Sequence, residues 1–285
     1  MRTLARLNPY YGPLYDVWRQ LVILNGVLFQ FSTHIDGRIA DLKQVMTHRK
    51  VPFYAAASMV IMDLSSVQPD GWPVNFPIGG HLRRGRGYVR MLDDIAAREA
   101  AWTVAQGFEA FESAAMNTAA LYLKRNPSQL TANAWHKRGK QAKPASARIS
   151  DYRSFVRSIY RTANDVVRRL GNSSPTLRQF EDHNHRSIVL PAWLDVVAAV
   201  RHATVHNSGV LSARQIARLG SGKVKILKTA FRGRELGVGY RLTLTAKDAE
   251  RALEMLAEYS FLIYKATSIE DELDVSIFRK GRISV

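Results

Sequence analysis

The chain has 285 residues, 46% hydrophobic and 23% charged, which suits one large domain or two modest ones and excludes global disorder. Its 41 Lys+Arg against 24 Asp+Glu leave a formal charge of +17, an excess that favours nucleic acid or an anionic surface as partner. Cysteine is absent, which removes disulfides, thiolate nucleophiles and Cys-based zinc sites and fits a reducing compartment.

The first ninety residues read as three separable helical segments, 14–31, 36–49 and 52–67, the last opening with Pro52 at a tolerated first-turn position. Arg6, Asn8 and Pro9 interrupt any hydrophobic signal region, and no segment reaches the roughly 18 continuous apolar residues of a membrane span. Cytoplasmic residence without a membrane partner is the expectation. The turn-rich run Pro69-Asp70-Gly71-Trp72-Pro73 through Gly80, followed by Arg83-Arg84-Gly85-Arg86-Gly87, marks a boundary. It predicts a helical N-terminal extension over 1–88, of unassigned role, and a second domain over 89–285.

A long helical pattern runs over 89–126 through Leu92, Ile95, Trp102, Phe108, Phe111 and Leu121. Periodicity is then lost over 127–150, a basic loop or insertion with Pro127, Gly139 and Pro144. From Asp151 to Leu170, Tyr152, Phe155, Val156, Ile159, Ala163, Val166, Val167 and Leu170 fall at three- and four-residue steps, predicting one amphipathic helix. A further helix over 191–206 is apolar through Trp193, Leu194, Val196, Val197 and Val200. Beyond Gly220, residues 223–227 and 240–244 alternate around Gly233, Gly237 and Gly239, which predicts a hairpin between them. Thr245 with Asp248 has the spacing of a capping box and opens a final amphipathic helix over 249–264. The expected fold is mainly α: a helical bundle with a small β-hairpin.

Charge is uneven along the chain. Residues 124–170 hold twelve Lys/Arg against two acids, a net +10 of the total +17. Lys137, Arg138, Lys140 and Lys143 lie in the insertion, and Arg153, Arg157 and Arg161 repeat every four residues as one helical stripe. Trp135 and Tyr152 sit among them as candidates for base stacking. RNA is the expected ligand of this region; a solvated helix face is the plain alternative.

Arg201-His202-Ala203-Thr204-Val205-His206, closed by Asn207-Ser208-Gly209, carries the chemistry. Arginine is a permanent cation whose fork matches phosphate, and histidine is the side chain that trades protons near neutral pH. On an ideal helix Arg201 and His206 stand about 140° apart, so one straight helix does not bring them together. A distorted helix end at Asn207-Ser208-Gly209, the reach of arginine, or a second copy of the helix would do so. Two other readings remain open: basic residues complementing a helix C-terminus, and His202 with His206 as an i,i+4 metal pair. The metal reading lacks the glutamate after the first histidine and an evident third ligand. His183-Asn184-His185 reads as a loop or helix cap, and the glycines at 233–239 lack the strand-to-helix context of a nucleotide fingerprint.

Arg201-His202-x-x-x-His206 with the Asn207-x-Gly209 tail resembles the R-polar-x-x-x-H motif of the HEPN superfamily. The helix order over about 89–265, including Phe108-Glu109-Ala110-Phe111-Glu112 on the first long helix, is similar as well. The resemblance implies a HEPN-like helical bundle acting as a homodimeric, metal-independent endoribonuclease that needs no cofactor. It further implies a toxin or antiviral-defence role, with an antitoxin or defence-system subunit as a further partner. Arg201 and His206 would be the catalytic pair and His202 the variable polar position. Asn207, Glu109 and Glu112 would support them, either glutamate as an orienting group for Arg201. A non-catalytic nucleic-acid binder and a scaffold subunit are the competing expectations.

Overall fold

The structure, a computed structural model, describes residues 4, 7–48, 54–67, 73–131, 148–159 and 162–276. It is mainly helical, with two small antiparallel sheets. Two compact units divide the chain: Met1–Phe29 with Ala97–Val285, and Gln30–Ala96. The expected boundary at residue 88 falls instead inside a helix that spans Gly85–Arg125.

The smaller unit departs from the sequence reading. Helix α1 (Tyr11–His48) runs unbroken where two helices were expected. Of the helix expected over 52–67, the described residues 54–67 are not helical: β1 (Tyr54–Val67) pairs antiparallel with β2 (Pro73–Arg84), so the N-terminal region is not a purely helical extension. Short apolar runs carry no decisive period, and the alanines and methionines of 55–62 mask a segment whose partner lies across the Pro69–Gly71 turn signal. Within this unit Ile35, Ile39 and Leu42 of α1 pack with Leu92 of α2 (Gly85–Arg125).

The larger unit holds the main core. It contains the Tyr11–Phe29 part of α1, the remainder of α2 from Ala97, and a 3-10 turn (Pro127–Thr131). Then come α3 (Ile149–Ile159), α4 (Ala163–Ser173), α5 (Pro175–Asp182) and α6 (Leu190–His206). After β3 (Val210–Ser212) follow α7 (Ala213–Leu219) and α8 (Ser221–Ala230), the hairpin β4 (Gly233–Leu236) and β5 (Gly239–Leu242), and α9 (Ala246–Glu270). Residues 223–227 are thus helical, and the hairpin begins ten residues later than their alternation suggested. Thr245 and Asp248 do form the capping box that starts α9.

Helix α9 buries Ala249, Ala252, Leu253, Leu256, Tyr259 and Ile263, a stripe at helical spacing. Gly107 of α2 is what lets neighbouring helices close in: a Cβ there would crowd Leu253 and lie 3.3 Å from Leu21. At the far end, buried Asp271 accepts hydrogen bonds from the Tyr10 hydroxyl at 2.6 Å and the Asn126 amide at 2.8 Å, and pairs with Arg125. Asn8 donates to Ser268 Oγ at 2.9 Å beside them.

The second sheet has strand order β3-β5-β4. Gly239 opens β5 at φ +154°, and a Cβ on it would run into the Leu211 carbonyl of β3. Gly239→Ala should therefore destabilise the fold by about 2 kcal/mol or more, read as a fall in thermal midpoint of roughly 5 °C. An unchanged midpoint would mean that β3 does not depend on that close approach.

Candidate active site at the end of helix α6

Helix α6 turns Trp193, Leu194, Val196, Val197, Val200 and Ala203 into the core. That choice fixes where the polar residues go. Asp195, His202 and His206, at steps of seven and four, share one face, and both histidines are exposed. Their rings lie 4.8 Å apart between centroids, tilted by 49°. Among the described residues no group of three His, Asp or Glu forms a metal-holding set.

The helix stops where the sequence signals it. Asn207 and Gly209 both donate backbone N–H bonds of 2.9 Å to the Ala203 carbonyl, with Ser208 at φ 51° and Gly209 at φ 78°. Glycine suits that left-handed position because it carries no Cβ. The turned chain then feeds β3: Val210 N–H donates to the Asn207 carbonyl at 3.0 Å, and Leu242 N–H of β5 donates to the Gly209 carbonyl at 2.9 Å. Asn207 thus supports the motif as its cap residue, with its side-chain amide 3.5 Å from Gln215 Oε1.

Arg201 lies off the histidine face. Its guanidinium reaches α2, where one terminal nitrogen donates to Glu109 Oε1 at 3.0 Å, while its buried Nε has no hydrogen-bond partner. No hydrogen bond joins Arg201 to His206. Glu109 therefore orients the arginine, and Glu112 acts differently. Glu112 Oε1 accepts the Ala163 N–H at 2.7 Å, in the first turn of α4. Burial pushes its carboxyl above the ordinary range, opposed by that N–H and by the nearby Arg201 charge.

The expected basic stripe is only partly placed. Lys137, Arg138, Lys140, Lys143, Arg161 and Trp135 lie outside the described residues. Arg153 and Arg157 are exposed on α3. The single helix expected over 151–170 is two helices, because the Thr162 side chain accepts from Asp165 N–H and caps α4. Tyr152 is buried at 8% exposure, so it offers no ring to a base. Arg168 is engaged by Asp165 and Asp195. Asp195 also accepts from Lys223 and, at 2.7 Å, from the Asn164 amide, tying α6 to α8 and α4.

His183 caps α5, and the Asn184 amide donates to the Ile188 carbonyl at 2.7 Å, so that polar knot shapes a loop. Sequence reasoning did not find the buried pair in which the Tyr259 hydroxyl donates to Glu181. It also missed a groove of about 420 Å³ bordered by Glu109, Gln106, Ser113, Gln20, Ile23 and Leu24. Along α1 beside it, Val22, Ile23, Val27 and Phe29 are more than half exposed. Among the described residues no helix is long and apolar enough to cross a membrane. Comparison with protein-family models, with curated proteins and with solved structures finds no match to the chain.

Proposed function

We propose that the chain is a HEPN-type, metal-independent endoribonuclease that works as a homodimer. The observation that carries this reading is the end of α6, where exposed His206 projects beside His202 and Arg201 is held from behind by Glu109. In the reaction the ribose 2′-oxygen attacks the adjacent phosphorus and the bond to the 5′-oxygen breaks. His206 removes the 2′-hydroxyl proton or supplies one to the leaving 5′-oxygen. Arg201 offsets negative charge growing on the phosphoryl oxygens. The products are a 2′,3′-cyclic phosphate and a 5′-hydroxyl.

Two features favour completion of the site by a second copy. No hydrogen bond joins Arg201 to His206 within one chain, and the exposed Val22, Ile23, Val27 and Phe29 are the kind of apolar surface that marks an interface. A toxin or antiviral role and a cytoplasmic location belong to the same proposal.

The test is incubation of the full chain with end-labelled RNA in excess EDTA, followed by analysis of the product ends. Cleavage leaving cyclic phosphates is expected. Loss of cleavage on chelation, or 5′-phosphate products, would rule the mechanism out.

A further inference from the structure

The chain's charge excess resides in two stretches, and only the first was evident as an RNA grip. Residues 210–244 carry eight Lys/Arg against one acid, a net +7. Added to the +10 of 124–170, this accounts for the whole +17, so the remaining chain is balanced. Each stretch holds both bound and open cations. In the first, Arg125 and Arg168 are bound by Asp271 and by Asp165 and Asp195. In the second, Lys223, Lys228 and Arg232 are paired with Asp195, Glu235 and Asp248, whereas Arg214, Arg218, Lys225, Arg234 and Arg241 are exposed and form no ion pair among the described residues.

Two of them stand together at a specific place. Arg234 of β4 is the direct cross-strand partner of Arg241 of β5, and Arg241 in turn is paired with Val210 of β3. The period of a strand puts Val210, Arg241 and Arg234 in one row on one face. Leu211, Tyr240 and Leu242 take the other face and are buried. Directly opposed side chains have Cβ atoms about 5 Å apart, and like charges so placed are destabilising. The sheet bears that cost without a carboxylate on the row. A pair of open guanidinium forks at this spacing matches phosphate oxygens.

The row is also attached to the candidate active site. Val210 lies four residues after His206, and the Leu242 N–H bond to Gly209 locks β5 to the turn that ends α6. A backbone chain of four residues spans at most about 14 Å, and neighbouring strands are about 5 Å apart. The arginine row therefore sits within a few nucleotides' reach of His206.

We infer that the outer face of the β3-β5-β4 sheet, through Arg234 and Arg241, is a phosphate-binding platform that seats the RNA backbone next to the α6 histidines. This deepens the ribonuclease reading, on which the choice of RNA as the polyanion rests. Substrate strands are held by contacts to phosphate, so the platform adds affinity without sequence preference.

The test uses the full chain and a non-cleavable, 2′-O-methyl RNA oligonucleotide, with affinity measured by fluorescence anisotropy across a salt series. For the Arg234→Gln/Arg241→Gln double variant, Kd should rise at least tenfold at about 0.1 M salt. The slope of log K against log salt should shrink by about 1.4, the value for two phosphate contacts to a single strand. The thermal midpoint should hold or rise, because the like-charge pair is gone. An Arg153→Gln/Arg157→Gln variant serves as the comparison and should change both quantities less. Unchanged affinity and slope in the first variant would overturn the platform. So would intact RNA binding with lost adhesion to phosphatidylserine vesicles, which would assign the row to a membrane surface. A wild-type chain that binds RNA through this row but never cuts it overturns the ribonuclease reading alone.

Discussion

His206→Ala is expected to lower the single-turnover rate of RNA cleavage about 10²–10⁴-fold, the usual worth of a positioned general acid or base. The side chain is exposed at the last turn of α6, where its ring lies against that of His202 and away from the core, so its removal leaves the packing of Trp193, Val197 and Val200 untouched. A circular-dichroism melt matching that of the parent would separate lost chemistry from lost fold. Arg201→Ala should cost roughly 10²–10³-fold, as the loss of one charge-stabilising donor does. Arg201→Lys should rescue little, because a lysine presents a point charge in place of a fork. Glu109→Gln is the informative control. It keeps an acceptor for Arg201 but removes the exposed ion pair, worth at most about 1 kcal/mol, so the loss should stay within about fivefold. A His206→Ala chain that cuts as well as the parent would end the catalytic reading of the motif.

The second large effect is on stability. Glu181 is 5% exposed, and burial pushes its carboxyl from the ordinary 4.5 up to about 7, with the Tyr259 hydroxyl bond opposing and the Asp182 charge adding to the rise. A carboxyl whose folded-state value is raised penalises folding once the unfolded chain ionises. The penalty is absent below about pH 4.5, grows between 4.5 and 7, and is complete above 7. The gap corresponds to about 3 kcal/mol. Glu181→Gln keeps an oxygen for Tyr259 and cannot ionise. Its unfolding free energy relative to the parent should therefore climb by about 3 kcal/mol between pH 4.5 and pH 8. Equilibrium denaturant unfolding at the two pH values measures this, and a constant difference would show that Glu181 is not held protonated by its surroundings.

Signals with a local cause were legible in the chain. The cap at Thr245 and Asp248, the helix stop at Asn207-Ser208-Gly209 and the apolar stripe of α6 depend on neighbours a few residues away. Each appears where the spacing put it. Of the two glutamates that the family resemblance offered to Arg201, Glu109 forms an ion pair with it and Glu112 accepts the Ala163 N–H. What failed depended on distant partners. Strand β1 is specified by its pairing with β2, such as Val60 with Pro77, and not by its own alanine-rich composition. The period of 223–227 suits either element over so few residues, and packing against α6 settles it as helix α8. The arginine row was invisible because Arg234 and Arg241 become neighbours only through strand register.

The Asp271 hub sets a timetable for the chain as it is made. Its partners Tyr10, Arg125 and Asn126, and the Asn8–Ser268 bond beside it, join residues up to 261 positions apart. At about 5–20 residues per second, Tyr10 waits roughly 10–50 s on the ribosome before its acceptor exists. Until then the Tyr10 hydroxyl lacks its carboxylate, and loop closure over such a span is entropically slow. The larger unit is thus finished by its two ends meeting. Whatever surface the end of α6 presents comes to rest on a closed scaffold only after the end of α9 has been made.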